Sequence, residues 1–201
     1  MNRHLIGLLF MGFGICAFAQ TPYKEQLRIH RDTVNQEFAD SNTSILTKED
    51  QLTFHGLEFF VPNEKYKIKA TFQEYAQKDT FEMATSTSRK PQYRKYGMLT
   101  FTFGKESYTL EVYQNIGLMT TKGYEDYLFC PFKDLTNGKE TYGGGRYLDL
   151  RIGDLVTSPT IDFNFCYNPY CAYNYNYSCP VPPAANHLKL RIEAGVKDFK
   201  H

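Results

Sequence analysis

The chain has 201 residues, 23 of them basic and 22 acidic, with 16 Tyr, 16 Phe and no Trp. So even a balance, without a basic run, excludes the cationic face that a nucleic-acid binder or an anionic-lipid sensor needs. No cofactor motif and no metal-ligand spacing is present, and past the first 19 residues no stretch is apolar enough to span a bilayer.

Residues 1–19 have the pattern of a secretory signal. Arg3 and His4 form a short basic start. An uncharged stretch from Leu5 to Phe18 follows, and Ala17-Phe18-Ala19 has the small-x-small form of a cleavage site, which makes Gln20 the expected mature terminus. The apolar stretch is too short for a membrane helix. A lipid anchor on Cys16 would want a small residue where Ile15 stands. The expected location is therefore exported, periplasmic or extracellular. Removing 19 residues from 201 leaves 182, enough for one domain with its own core.

Tyr23, Leu27, Val34 and Phe38 recur at helical spacing, which predicts an amphipathic helix over about Thr21 to Ala39, with Pro22 tolerated in its first turn. Thr47-Lys48-Glu49-Asp50 begins a short helical turn. This helical extension covers 20–52. A β-rich domain is expected over 53–201; from Leu57 the apolar period is two, and strands are predicted at Leu57–Val61, Tyr66–Tyr75, Thr80–Thr85, Tyr93–Tyr96, Leu99–Phe103, Tyr108–Gln114, Tyr127–Cys130, Tyr147–Ile152, Ile161–Tyr167 and Leu188–Ala194. Short strands between Gly, Pro and Asn turns point to a mostly β, antiparallel sandwich or barrel-like single domain behind an N-terminal amphipathic helix. Residues 169–183 form a Pro-, Asn- and Tyr-rich irregular loop, of a length usually stapled or functional.

The C-terminal third is the densest in motifs. Pro131-Phe132-Lys133-Asp134-Leu135-Thr136-Asn137-Gly138 leads into Thr141-Tyr142-Gly143-Gly144-Gly145-Arg146-Tyr147-Leu148-Asp149. Ile161-Asp162-Phe163-Asn164, Tyr167-Asn168-Pro169, Cys171-Ala172, Cys179-Pro180-Val181-Pro182-Pro183 and Asn186 follow. With Phe54-His55-Gly56-Leu57-Glu58-Phe59-Phe60 and Tyr96-Gly97 upstream, this order resembles the bacterial family catalogued as domain of unknown function 1684. The resemblance implies one intact domain and a focus on this segment; it brings no substrate, cofactor or catalytic residue.

Within the segment, alternation puts Arg146, Leu148, Leu150 and Ile152 on one strand face and Tyr147, Asp149 and Arg151 on the other. A hairpin around Gly153–Pro159 would set Asp149 opposite Asp162, with Asn164 near. Two facing carboxylates need a counter-ion, a cation or a shared proton, and a shared proton would suit acid/base chemistry. The plainer reading is an Arg151–Asp162 ion pair on a solvated face. Gly143-Gly144-Gly145 before Arg146 is either a tight turn or an anion nest with Arg146 as bidentate partner. Past residue 19 four cysteines remain. Cys171–Cys179 is the favoured disulfide, and in the resembling family both belong to the motif; Cys130 and Cys166 are left as a second pair. A thiol nucleophile would need His30, His55 or His187 as partner.

Two functions stand from these residues. One is an exported binding domain for a small polar or anionic ligand, a sugar or a peptide, held near the Gly143–Arg146 turn and the 168–186 loop by Tyr142, Arg146, Asn164, Asn168, Tyr170 and Asn186. Tyr173, Tyr175 and Tyr177 would add stacking surface. The other is a hydrolase-like enzyme with Asp149 and Asp162 as acid/base pair. A structural envelope protein is the third alternative.

Overall fold

The computed structural model describes residues 22–201. The expected signal sequence and Cys16 lie outside the described residues. α1 spans Tyr23–Ala39, α2 Lys48–Thr53 and α3 Ile152–Val156. The strands are β1 Lys67–Glu74, β2 Thr80–Glu82, β3 Gln92–Phe103, β4 Glu106–Asn115, β5 Tyr127–Phe132, β6 Arg146–Arg151 and β7 Thr160–Asp162. They form one antiparallel sheet in the order β6-β5-β4-β3-β1-β7, with β2 on β3, and the sheet curls into a half-barrel. The mostly β, barrel-like architecture is thus the one the alternating pattern implies. Among the described residues no helix is long and apolar enough to cross a membrane.

Strand alternation sorts the side chains into two cores. On one face Leu99, Phe101, Leu110, Val112, Leu128, Phe132, Leu148 and Ile161 pack together. Each such side chain contributes about 1.5–3 kcal/mol of transfer free energy. On the other face Met83, Tyr93, Tyr113, Phe129 and Tyr147 form a smaller aromatic cluster. Two short strands expected at Tyr93–Tyr96 and Leu99–Phe103 are one strand, β3, with a register shift between Lys95 and Gly97. A Cβ on Gly97 would sit 2.5 Å from the Gln73 carbonyl oxygen, so only glycine lets β1 approach at this bulge.

Two expected strands take other forms. Ile161–Tyr167 is a strand only to Asp162. There the carboxylate accepts from the Asn164 amide N–H and turns the chain into a tight helical turn, Phe163–Phe165. Leu188–Ala194 alternates and buries Leu188, Ile192 and Ala194, yet forms no strand. Its backbone bonds go largely to side chains: Ile192 N–H to Asp134, and the carbonyls of Ile192 and Ala194 to Arg146. Leu57–Val61 is likewise an extended segment, bridged to the C-terminal chain between Phe59 and Val196.

α1 docks by its apolar stripe. Leu27 is fully buried, and Phe38 meets Phe54 and Tyr173 with ring centroids 6.0 and 4.8 Å apart. Polar ties fix the helix at several points. The Tyr23 hydroxyl donates to Asp162 at 3.0 Å, and the Leu57 N–H donates to the Asn35 side-chain oxygen at 2.8 Å.

Candidate functional site

Asp149 stands on β6 with its side chain exposed, on the face that carries Tyr147. Two phenols converge on it: Tyr127 from β5 donates at 2.7 Å and Tyr167 at 2.6 Å, both to Oδ1. Tyr167 is brought there by a two-bond bridge to Tyr147 (N···O 2.8 and 3.1 Å). Among the described residues no hydrogen bond reaches Oδ2, which keeps one carboxylate oxygen for a further donor. Burial, followed by the Asp149 charge, pushes the Tyr127 phenol up; burial, followed by Tyr127 and Asp149, does the same to Tyr167. Both stay protonated donors at neutral pH.

Two clefts flank this cluster and share Tyr167 and Tyr170. The first, about 230 Å³, lies between α1 and the 166–173 segment, with His30, Val34 and Glu37 on the helix side and Asp149, Asn168 and Tyr170 opposite. Phe38, Leu57, Phe59 and Tyr173 supply its apolar surface. The second, about 290 Å³, is walled by Tyr93, Tyr127, Phe129, Tyr147 and the Ser178–Pro180 stretch, with no charged residue. His30 stacks edge-on to Phe165 at 5.0 Å, and burial followed by the Arg31 charge holds it below its ordinary 6.5.

Asn168 gives the first cleft a polar floor. It is 1% exposed, and its Nδ2 donates to the Lys197 carbonyl at 2.8 Å. That acceptor fixes which end of the amide is nitrogen. The other end, Oδ1, is buried and has no partner, although the amide also lies beside the Tyr173 hydroxyl. A buried acceptor without a donor costs about 1–3 kcal/mol, a cost that a bound donor would remove.

Several residues expected at a ligand site have other work. Arg146 is fully buried on the opposite face of β6, bonded to Asp134 (3.1 Å), the Ile192 carbonyl (2.8 Å) and the Ala194 carbonyl, so it offers a ligand no fork. The glycines before it make a turn, closed by Gly145 N–H to the Tyr142 carbonyl at 3.1 Å, with Gly145 at φ +100°. Asn164 clamps the Asn63 backbone from both sides, accepting its N–H and donating to its carbonyl, each at 3.0 Å. Asn186 bridges β4 and β5: Glu111 N–H donates to its Oδ1, and its Nδ2 donates to the carbonyls of Glu111 and Pro131. It fills a gap left where Pro131 brings no N–H to the ladder.

The expected facing of Asp149 and Asp162 is also corrected. β6 pairs with β5 and β7 with β1, so no hairpin joins them. Asp149 lies opposite Phe129 and Asp162 opposite Lys67. Asp162 is occupied by Tyr23 and by the Asn164 backbone and side-chain amides, and it does not line the cleft that holds Asp149. Arg151 pairs with Asp126 at 2.7 Å, and not with Asp162. Of the loop tyrosines, Tyr170 faces both clefts and meets Tyr177 at 5.3 Å, Tyr173 is core and Tyr175 is exposed.

Among the described residues the four cysteines are free thiols. Cys171 and Cys179 are neighbours, their thiols hydrogen-bonded and the Cys171 N–H donating to the Cys179 sulfur at 3.1 Å. The bond from Cys179, then that from Tyr142 (3.7 Å), lowers the Cys171 thiol to about 6 against the opposing effect of burial. Cys130 and Cys166 do not pair: Cys130 faces the main core from β5, and Cys166 donates to the Ala194 carbonyl at 3.5 Å. Burial pushes these two thiols up, to about 12 and about 11. Among the described residues no three His, Cys, Asp or Glu side chains gather as a metal ion would require.

Sequence reasoning found Asp149, Asn168 and Tyr170 but missed Tyr127, Tyr167, Glu37 and Phe59 as their neighbours. Tyr127 could have been found by extending the alternation of β6 to a neighbouring β5; Glu37 and Phe59 carry no local signal.

No curated protein matches the chain. A solution NMR structure of an uncharacterised protein from Haloarcula marismortui is similar, with 32% sequence identity and a TM-score of 0.69 over 89% of this chain and 96% of that one. A family model described as protein of unknown function (DUF1684) matches residues 52–197, a span that begins within α2 and leaves α1, one wall of the cleft, outside it. The chain belongs to that family of proteins of unknown function.

Proposed function

We propose that this protein is an exported binding domain whose small ligand sits in the cleft between α1 and the 166–173 segment, beside Asp149, and not at the Gly143–Arg146 turn. The observation that carries the reading is Asn168, which lines a cleft about 230 Å³ in volume and whose buried Oδ1 has no partner. A largely apolar concavity with a few convergent polar groups is the usual form of a small-molecule site. Tyr167 and Tyr170, between the two clefts, offer the ring faces on which a sugar or a flat group stacks.

Export rests on the pattern of residues 1–19, and in an oxidising compartment the adjacent Cys171 and Cys179 would close as a disulfide. The unreduced, denatured mass of protein from the exported fraction would then begin at Gln20 and lie two hydrogens below the all-thiol value.

The test of the site is a fragment screen followed by NMR on labelled protein. Hits should shift the Asn168 side-chain amide and the rings of Tyr167 and Tyr170. Val34→Trp, which fills the cleft from the half-buried Val34 position on the helix, should abolish those shifts while leaving the circular dichroism of the fold intact. Hits that map elsewhere, or that survive Val34→Trp, would overturn the reading.

A further inference from the structure

We infer that the ligand is an organic amine with an apolar tail, its ammonium head held in the α1 cleft by Glu37, Asp149 and the Asn168 Oδ1, its tail lying along the tyrosine cleft. This rests on the proposed binding function and narrows it to a chemical class. The charged groups that line the first cleft are both carboxylates, and its neutral polar groups include the His30 ring, the Tyr170 hydroxyl and the Asn168 amide. Asp149 has one oxygen free of hydrogen bonds, Glu37 lines the opposite wall, and Asn168 presents a carbonyl oxygen because its nitrogen is committed to Lys197. An anionic ligand, such as a phosphate or a carboxylate, would meet no cationic side chain, only the neutral His30 and Tyr170 donors, and two carboxylates to repel it. An ammonium group is all donor: three N–H bonds and one positive charge.

The walls agree with the polar groups. No lysine or arginine lines either cleft. Arg31, next along α1, lays its guanidinium over the Phe59 ring at 4.6 Å and is not part of the cleft surface. Phe38, Phe59, Tyr167 and Tyr170 line the same cleft, and aromatic ring faces attract cations and do not attract anions. Past the Tyr167–Tyr170 ridge the second cleft is uncharged and aromatic, suited to an aryl or alkyl tail and unsuited to a second ionic group.

The test is isothermal titration of the full chain with three probes of one shape: 2-phenylethylamine, its N-acetyl derivative and 2-phenylethanol. The amine is expected to bind at least tenfold more tightly than either neutral probe. Glu37→Gln, on the exposed face of α1 where folding is not at risk, and Asp149→Asn should each bring the amine down toward the alcohol. Equal binding of amine and alcohol would refute the amine class and leave the cleft reading standing. No binding by any of the three would also refute it, and the cleft reading would then fall only if the Val34→Trp fragment test failed as well. Amine binding that neither variant weakens would place the ammonium elsewhere and overturn the assignment.

Discussion

Replacing Arg146 by Met removes a buried charge and keeps most of its volume. The guanidinium and the Asp134 carboxylate are both fully buried, 3.1 Å apart, and Arg146 donates to the Ile192 and Ala194 carbonyls, the second of which has otherwise, among the described residues, only the Cys166 thiol as a side-chain donor. Asp134 would keep the Ile192 N–H and the Thr136 N–H and hydroxyl, so its charge would be solvated in part. Breaking one side of a buried pair costs about 3–5 kcal/mol, since the remaining charge is buried without its counter-ion. With a urea slope of about 2 kcal/mol per molar, the midpoint should fall by roughly 1.5–2.5 M. Far-UV circular dichroism in urea measures it, and the absence of Trp makes Tyr emission the second probe. Asp134→Asn alone should also destabilise, but the double variant should lose at least about 1 kcal/mol less than the two singles together, because contacting charges couple. A loss below about 1 kcal/mol for Arg146→Met, or simple additivity, would refute the view that this pair anchors the C-terminal chain.

Three further outcomes are expected. With disulfides reduced, iodoacetamide should label Cys171 first, with half-maximal rate near pH 6, while Cys130 and Cys166 react only on unfolding; equal labelling of all four in the folded state would contradict the geometry. Tyr113, Tyr127, Tyr147 and Tyr167 have pKa values raised above 10, chiefly by burial. Their contribution to stability is full below pH 10 and is lost above it, as the unfolded chain ionises and the folded one does not; a urea midpoint flat from pH 9 to 11 would contradict this. Gly145→Ala should cost about 2 kcal/mol or more, because φ is +100° and the new Cβ would lie 2.6 Å from the Phe132 carbonyl oxygen; an unchanged melting temperature would show that the turn is not so constrained.

The strands were legible where one face is apolar and the other is not. β4 and β6 show this directly, since Leu110, Val112, Leu148 and Leu150 alternate with Tyr, Glu and Asp. The same alternation misleads at Leu188–Ala194, because period two reports burial and not which atoms satisfy the backbone. There the partners are Arg146 and Asp134, some fifty residues upstream. The Asp149–Asp162 pairing failed for a related reason. Adjacent strands in sequence usually pair, but the α3 turn carries the chain from β6 across to the far end of the sheet order, so that β7 pairs with β1. The candidate site was half legible: Asp149, Asn168 and Tyr170 stood out as polar or aromatic residues in a dense segment, whereas the wall built by α1 depends on docking that no spacing encodes.

The motif-rich segment divides once its hydrogen bonds are followed. Arg146 with Asp134 holds the carbonyls of residues 192 and 194; Asn164 holds Asn63; Asn186 holds Glu111 and Pro131. Each is a polar side chain spent on backbone that no ladder reaches, as a half-barrel closed by irregular chain requires. These residues are committed to the chain's own backbone, although the buried Arg146 Nε has no hydrogen-bond partner, and their substitution should read out as stability. Asp149 and Asn168 differ in kind. Asp149 is exposed, on the aromatic face, with one oxygen uncommitted, and two protonated phenols fix its orientation. Asn168 ties down Lys197 with one end and leaves the other buried and unmatched at a cleft. An unmet acceptor persists in a folded core only where the surrounding structure outweighs its cost or where something outside the chain meets it. The second condition needs room for a ligand beside the residue, and the cleft that Asn168 lines, with aromatic walls and two carboxylates, provides it.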